Sequence, residues 1–144
     1  MDTLFKFEIF SPQGEVFSDQ VKEVSVPTEK GEISILPNHI SLFTKLTEGE
    51  IKIHTSKGER IIAVIGGFLE TKDNIVTVLS DYAIKAENIQ ASVAEAKTKK
   101  TQELMKDKNL GADFLILEKE MQRSLLELKI ASKMKLRSRP QGQS

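Results

Sequence analysis

The sequence predicts an α+β protein in which an antiparallel β-sandwich or barrel precedes an antiparallel hairpin of two helices. In the first half of the chain, apolar and polar residues alternate with a period of two, as in residues 5–9, which is typical of half-buried strands. In the second half, apolar residues recur at helical spacing. No glycine or proline lies between Phe68 and Leu110, and the change of pattern predicts two domains, residues 1–86 and 87–144.

The predicted sandwich consists of short strands separated by turns. The expected strands cover residues 5–9, 21–26, 50–54, 60–65 and 74–79. Turn-forming residues separate them at positions 12–14, 29–31, 48–49, 57–58 and 72–74. Short strands at such close intervals are typical of a sandwich or a barrel. Most phenylalanines are expected at the alternating core positions.

The predicted hairpin consists of two amphipathic helices. Asn88 is the expected N-cap of the first helix, Gly111 is suited to a left-handed cap at its end, and Asp113 is suited to the start of the second helix. The apolar face of the first helix is expected to contain Ile89, Val93, Ala96 and Leu104. The stripe of the second helix is expected to contain Phe114, Leu117, Met121, Leu125 and Leu128. The short connection predicts antiparallel helices.

The hairpin is expected to need a partner surface, because two helices alone enclose little apolar volume. Residues 1–87 contain 9 basic and 14 acidic side chains, whereas residues 88–144 contain 12 and 7, so their net charges are −5 and +5. Basic residues continue from Lys129 to Arg139 without an acidic one. This run suits an acidic protein surface or a polyanion. A solvated helix end, where the dipole favours cations, is the alternative.

The composition excludes several classes of protein. The 144 residues include 21 basic and 21 acidic side chains, a balance that argues against a disordered acidic chain and against a general nucleic-acid binder. The chain contains no cysteine, which excludes disulfides, thiolate metal sites and a cysteine nucleophile. No apolar run approaches the roughly 20 residues that cross a bilayer. Since the first residues show no secretion or import signal, we expect the protein to act where it is made.

Enzyme signatures are also missing from the sequence. It has no phosphate-binding loop, nucleophile elbow, His-Glu-x-x-His motif or dinucleotide fingerprint. His39 and His54 are 15 residues apart without a third ligand at a recognised spacing, so neither a metal site nor a cofactor is predicted. His54 reads as a surface or edge residue. His39 follows the turn signal Pro37-Asn38 in an apolar stretch, which fits either an exposed docking loop or a satisfied corner of the sandwich.

This stretch resembles the epsilon subunit of F-type ATP synthases. The family pattern is a Gly-Glu pair, an aliphatic stretch, Pro-Gly-His with a following Leu-Leu-Thr, a Pro-Gly turn, a Gly-Gly pair and a Val-Thr-Val-Leu strand. The corresponding segments stand in the same order at residues 31–32, 35–39, 42–44, 48–49, 66–70 and 74–80. Asn38 replaces the family glycine and Glu48 the family proline, and both keep turn-forming character.

The resemblance implies a non-catalytic rotor subunit that clamps the foot of the gamma subunit onto the membrane ring of c subunits. By position, Glu32 and the loop from Ile35 to Leu42 would meet the polar loops of the c ring, while another face of the sandwich would bind gamma. The implied docking residues are Glu32, Ile35, Leu36, Pro37, His39 and Leu42. The implied location is the cytoplasmic face of the bacterial inner membrane, reached only through the complex, with the plastid thylakoid as the other possibility.

The resemblance also implies that the hairpin regulates ATP hydrolysis. In this family the hairpin can extend along gamma into the catalytic head, where basic residues meet acidic segments of the alpha and beta subunits. The implied inhibitory residues are Arg123, Lys129, Lys133, Lys135 and Arg137. Some bacterial members bind ATP through an Ile-Asp-x-x-Arg-Ala motif, which aligns here with Ile89, Gln90, Val93 and Ala94. Because Gln90 and Val93 lack the charges of that motif, ATP binding is not expected.

Two other functions stay open from the residues alone. One is a small ligand-binding β-sandwich with a helical interaction appendage, and the other is an esterase-like enzyme that uses His39 with Ser34 or Ser41. A ligand binder normally offers several exposed aromatic residues, but the sequence has no tryptophan and a single tyrosine, Tyr82. Both alternatives leave the basic hairpin unexplained, and the net acidic sandwich argues against nucleic acid as a partner.

Overall fold

A computed structural model describes residues 3–107 and 109–137, and this part of the chain forms ten strands, one short 3-10 helix and two α-helices. The strands are β1 Phe5–Ser11, β2 Gly14–Val21, β3 Glu23–Thr28, β4 Gly31–Ile35, β5 Leu42–Leu46, β6 Gly49–Thr55, β7 Gly58–Val64, β8 Gly67–Lys72, β9 Ile75–Leu79 and β10 Ala83–Lys85. The helices are the 3-10 helix Ala86–Asn88, α1 Ala91–Met105 and α2 Asp113–Arg137. The chain divides into two compact units between Glu87 and Asn88, one residue after the predicted boundary.

The ten strands form one curled sheet, as the sequence predicts. Their order is β10-β7-β6-β3-β5-β8-β9-β1-β2, with β4 paired to β3. Strands β1 and β9 run parallel, and the other described pairs are antiparallel. The terminal strands β10 and β2 lie in contact with each other. The sheet therefore forms a nearly closed barrel.

The predicted alternation of buried and more exposed residues is confirmed in β1 and β6. Phe5, Phe7 and Ile9 of β1 point into the core, whereas Lys6 between them is exposed. The rest of the core consists of Val21, Val24, Val26, Ile35, Leu46, Ile51, Ile53, Ile62, Val64, Leu69, Val76 and Val78. Burying one such large side chain contributes roughly 1.5–3 kcal/mol, so this cluster holds the barrel together.

Two short turns fix how β8 is placed. Gly67 adopts a φ of 120°, and a Cβ at this position would overlap the carbonyl oxygen of Leu79, so glycine is required where β8 begins beside the end of β9. At the other end of β8, Asp73 and Asn74 both adopt positive φ, 53° and 62°. Two left-handed residues in succession form the tight turn that matches the twist of an antiparallel hairpin.

The helical hairpin is confirmed, but the predicted contact face of α1 is wrong. Helices α1 and α2 pack on each other, and α1 buries Ala94, Thr98 and Thr101, whereas Val93 and Leu104 are exposed. Ala96 is exposed as well. The hydroxyl of Thr98 donates to the carbonyl oxygen of Ala94 at 2.8 Å. Because the helix itself satisfies this buried hydroxyl, threonine can take the place of an apolar residue and keep the contact face small.

The predicted stripe of α2 is wrong at two of its five positions. Phe114 and Leu125 are exposed, whereas Leu117, Met121 and Leu128 are half-buried. The residues that α2 buries are Ser124, Leu126 and Ile130. Small residues on both helices form part of the buried surface, which periodicity of large apolar residues does not reveal.

The predicted helix ends are partly correct. Asp113 begins α2 as expected. Asn88 is not the N-cap of α1 but ends the 3-10 helix, and the N-cap is Gln90, whose side chain makes no capping hydrogen bond. Gly111 has the expected left-handed φ of 56°. It does not cap α1, which ends at Met105, but lies in the turn before α2, where its carbonyl oxygen accepts a hydrogen bond from the N–H of Phe114.

Candidate docking surfaces

The β4–β5 loop, residues 36–41, exposes two large apolar side chains. Leu36 is 55% exposed and Ile40 is 81% exposed. Pro37 and His39 are half-buried between them. Aliphatic side chains held in water at neighbouring positions are typical of a contact surface. This exposure fits the exposed docking loop of the sequence analysis better than a satisfied corner of the sandwich.

Hydrogen bonds to the main chain hold the β4–β5 loop in place. Asn38 adopts a φ of 62°, and its N–H donates to Oδ1 of Asn74 at 2.7 Å. The carbonyl oxygen of Ile40 accepts from Oγ1 of Thr71 at 3.3 Å and lies 2.8 Å from Nδ1 of His39. The described partner of the His39 ring is therefore a carbonyl of its own loop, which does not support an esterase-like pairing with a serine.

The structure separates the six predicted docking residues into two groups. Leu36, Pro37 and His39 lie in the β4–β5 loop, and the half-buried Leu42 begins β5 just after it. Glu32 is exposed at the other end of β4, next to the β3–β4 turn, and a strand advances about 3.3 Å per residue, so about 13 Å of strand separates it from the loop. Ile35 is fully buried in the core, and its side chain cannot reach a partner.

The end of β4 near Glu32 is charged. Glu29 in the adjacent turn lies 3.5 Å from the ammonium group of Lys45 on β5. Both side chains are more than half exposed, so the pair is solvated and adds little stability. We call Glu29, Glu32 and Lys45 the charged edge.

An apolar patch that the sequence analysis missed extends from Phe43 on β5 across β8 and β9, beside Lys45 of the charged edge. Phe43, Phe68 and Leu79 are 67%, 46% and 56% exposed. The rings of Phe43 and Phe68 stack with their centroids 5.6 Å apart and an angle of 18° between the planes. Phe68 pairs with Leu79 across β8 and β9. A groove of about 510 Å³ continues the patch past Phe10.

The expectation that most phenylalanines lie in the core is therefore wrong. Of the described residues of this type, Phe5 and Phe7 are buried. The alternation itself contains the signal, because Phe43 shares the outward face of β5 with Lys45. In the same way, Phe68 shares the outward face of β8 with Glu70. An aromatic residue in phase with charged residues lies on the solvated side of a sheet.

The hairpin exposes apolar residues together with cations. Phe114, Leu125 and Leu136 are exposed and are spaced by eleven residues, which is about three helical turns, so they form one line that we call the α2 stripe. Lys129 and Lys133 follow Leu125 at intervals of four residues and are exposed beside the stripe.

The other predicted inhibitory residues do not share that position. Lys135 and Arg123 are exposed, but at 3.6 residues per turn Lys135 lies on the opposite flank of the stripe from Lys129 and Lys133, and Arg123 lies on the far side of the helix. Arg137 ends α2, and its side chain lies outside the described part of the structure, as does Arg139.

The residues at the position of the nucleotide motif surround the start of α1. Ile89 is half-buried, Gln90 is the exposed N-cap, Val93 is exposed and Ala94 is buried. None of these side chains carries a charge that could neutralise phosphate. Residues 3–107 and 109–137 also contain no cluster of histidine and acidic side chains that could hold a metal ion.

A second groove, of about 440 Å³, lies beside β2 and β7. Its lining mixes acidic and basic side chains, and Arg60 Nη1 lies 2.8 Å from Glu87 Oε2. Val16, Phe17, Ile61 and Ile62 also line this groove, but polar and charged residues outnumber them, whereas a small-molecule site is normally lined mostly by apolar residues. Within the described residues, this groove does not favour the ligand-binding alternative.

Comparisons with known proteins agree on one family. Residues 4–86 match the family model of the ATP synthase delta/epsilon chain, β-sandwich domain. The chain is 32% identical over 131 residues to the ATP synthase epsilon chain of Endomicrobium trichonymphae, which covers 91% of this chain and 95% of the relative. It is 38% identical over 107 residues to the ATP synthase epsilon chain of Pelotomaculum thermopropionicum, and this match covers 74% of this chain and 80% of the relative.

Solved structures share the fold. A chain in the mitochondrial ATP synthase of Euglena gracilis, an OSCP/F1/c-ring structure, superposes with a TM-score of 0.62 at 14% identity and covers 94% of this chain and 82% of that one. A chain in the central stalk and c-ring structure of the Tetrahymena thermophila mitochondrial ATP synthase superposes with a TM-score of 0.53 at 12% identity. This match covers 90% of this chain and 94% of that one. At these identities the likeness concerns the fold alone. No helix in the described ranges is long and apolar enough to cross a membrane.

Proposed function

Because the chain belongs to the ATP synthase delta/epsilon chain family, we propose that it is a non-catalytic rotor subunit of the central stalk. In this role it couples the catalytic head to the c ring during proton-driven ATP synthesis. The observation that carries the proposal is the continuous outer surface made of the β4–β5 loop, the apolar patch and the charged edge. Stacked aromatic rings and an aliphatic residue that is 81% exposed are costly in water unless a partner covers them.

The two ends of this surface suit different partners. The β4–β5 loop and the apolar patch offer Ile40, Phe43 and Phe68. Because these exposed side chains are apolar, we assign the loop and the patch to the gamma subunit, and not to the polar loops of the c ring that the family resemblance implies for this loop. The charged edge with Glu32 suits the polar loops of the c ring. The separation of Glu32 from the loop by the length of β4 supports two partners rather than one.

The helical hairpin is assigned to regulation of ATP hydrolysis through contacts with the alpha and beta subunits. The α2 stripe leaves Leu125 and Leu136 exposed, and Lys129 and Lys133 lie beside it. An apolar line flanked by cations suits an apolar surface flanked by acidic groups. The net charge of +5 on residues 88–144 supports the same direction of attraction.

The place of action that follows is the cytoplasmic face of the bacterial inner membrane, where the subunit is attached through the complex. Such a subunit needs no bilayer contact of its own, since gamma and the c ring hold it. We assign no metal and no cofactor to it.

One charge reversal and one truncation of an apolar side chain test the two docking assignments separately. Glu32→Lys should weaken binding of the full chain to purified c ring and leave gamma binding unchanged, whereas Ile40→Ser should do the reverse. Glu15→Lys, the same charge reversal on exposed β2, is the matched control and should change neither. The affinity of each variant is measured for purified c ring and for purified gamma, each immobilised on a surface. Thermal unfolding of the variants checks that they are folded. A wild-type chain that binds neither partner contradicts the proposal.

A further inference from the structure

Asn74 connects three distant parts of the sandwich through one side chain. Its Oδ1 accepts the N–H of Asn38 at 2.7 Å, and its Nδ2 donates to the carbonyl oxygen of Leu4 at 2.9 Å. Only one orientation of the amide satisfies both bonds, since the oxygen can only accept and the nitrogen can only donate. The main-chain oxygen of Asn74 also accepts the N–H of Lys6 at 3.3 Å.

The bridge reaches the part of the β4–β5 loop that has least support of its own. Asn38 adopts a left-handed φ of 62°, which asparagine tolerates better than most L-residues. On either side of it, Leu36 and Ile40 are mostly exposed and so are not fixed by packing. The bond from Thr71 to Ile40, at 3.3 Å, is longer than the 2.7 Å bond from Asn38 to Asn74.

We infer that Asn74 is a positioning residue that preorganises the β4–β5 loop for its partner. This role rests on the proposed binding of that loop to gamma. By fixing Asn38 against the start of β1, the side chain holds Leu36 and Ile40 in the conformation in which they bind. A loop that is ordered before binding loses less conformational entropy on association.

Asparagine is the residue type that this position requires. The turn places Asn74 at a φ of 62°, which favours glycine and asparagine. Glycine would keep the backbone but remove both side-chain bonds. Aspartate would keep the acceptor for Asn38 but lose the donor to Leu4.

The test compares substitutions within one turn of the purified full chain. Asn74→Gly removes both side-chain bonds at a backbone conformation that glycine adopts freely. Asp73→Gly is the matched control, because Asp73 also has a positive φ of 53° and its side chain bonds to neither Asn38 nor Leu4. Asn74→Asp is the partial rescue. The two readouts are amide hydrogen exchange of Asn38 and affinity for purified gamma.

Because Asn74→Gly removes a neutral hydrogen bond, we expect the Asn38 amide of this variant to exchange about three- to tenfold faster than that of the wild type. We also expect the variant to bind gamma about three- to tenfold more weakly. Asp73→Gly should match the wild type in both readouts, and Asn74→Asp should restore slow exchange of the Asn38 amide. Thermal unfolding should be alike in the two glycine variants, which separates positioning from a general loss of stability.

Three results would overturn the inference. Unchanged exchange of Asn38 in Asn74→Gly would show that the bond does not order the loop. Faster exchange with unchanged gamma affinity would show that loop order does not matter for binding, while the proposed function stands. A wild-type chain that does not bind gamma would instead remove both the proposed docking role and the positioning role that rests on it.

Discussion

At the scale of single residues, environment rather than residue type separates core from contact surface. Phe7 and Phe43 both lie in strands, but Phe7 is fully buried and Phe43 is 67% exposed against Phe68. An exposed ring contributes little to folding, whereas a buried ring fills volume that no other side chain replaces. The same residue type therefore has two different roles in one sandwich.

Phe43→Ala should leave the free energy of unfolding within about 0.5 kcal/mol of the wild type while weakening binding to gamma. Phe7→Ala, the buried counterpart, should cost about 3–5 kcal/mol of stability because it leaves a cavity. Urea unfolding of the isolated chain and gamma binding measure the two effects. If Phe43→Ala lowers stability as much as Phe7→Ala does, the patch is part of the folding core rather than a docking surface.

Magnesium-ATP should not bind the isolated chain, since Gln90 and Val93 offer phosphate no charge where the nucleotide-binding members carry an acid and an arginine. Isothermal calorimetry of the full chain is the measurement, and the expected result is no binding heat. Stoichiometric binding at micromolar nucleotide would mean that other residues form the site.

The sequence predicts part of the docking surface, for physical reasons that particular residues show. The β4–β5 loop with His39 is recognisable because Pro37-Asn38 is a turn signal in an apolar stretch. Ile35 of β4 is recognised as a core residue only from the structure, where it pairs with Val24 of β3 and is fully buried. The bond from Asn74 to Asn38 joins residues that are 36 positions apart, and no local pattern reveals it.

At the scale of elements, strands are more predictable than helix faces. The period-two pattern identifies β1 and β6, because one face of each meets a continuous core. The expected strands leave out β2, β4, β5 and β8. They also leave out the three-residue strand β10, which pairs with β7. The contact face of α1 is also missed, because Thr98 and Thr101 read as polar although both are buried. A side chain whose hydroxyl bonds to its own helix can pack as an apolar one.

Lys133→Glu should raise ATP hydrolysis by the assembled enzyme more than Lys135→Glu does. Both changes reverse one exposed charge on α2, but Lys133 lies on the same flank of the α2 stripe as Lys129, whereas Lys135 lies on the opposite flank. A single surface contact limits the effect to about fivefold, and salt should weaken the inhibition. Deleting residues 112–144 should raise the rate at least as far.

Steady-state hydrolysis at low and moderate salt measures this difference, with co-purification confirming that the subunit stays bound. Equal rates for both single variants would remove the assignment to one side of α2. If the deletion also leaves the rate unchanged while the subunit remains bound, the inhibitory role of the hairpin is wrong.

At the scale of the whole molecule, the two units have opposite net charges, and we assign a separate task to each. The sandwich contains the fifteen-residue core cluster and all the docking residues assigned to gamma and the c ring. The hairpin carries the α2 stripe and the excess of cations. Since the chain divides into two compact units between Glu87 and Asn88, we expect that each proposed task can be removed without the other.

Residues 1–87 alone should fold cooperatively and bind gamma with an affinity close to that of the full chain. The core cluster lies entirely within this fragment, and every residue of the β4–β5 loop and apolar patch is retained. Calorimetric unfolding of the fragment and its binding to gamma test the prediction. A fragment without a cooperative transition would show that the sandwich depends on the hairpin for its stability.

The central claim is that this chain joins gamma to the c ring as a rotor subunit. The most direct measurement is the set of proteins that an affinity-tagged full chain recovers from detergent-solubilised membranes, identified by mass spectrometry. The account predicts that gamma, alpha, beta and c subunits are recovered together, and that a variant combining Glu32→Lys with Phe43→Lys, which retains its thermal unfolding, loses them. A folded wild-type chain that recovers none of these subunits would contradict the account.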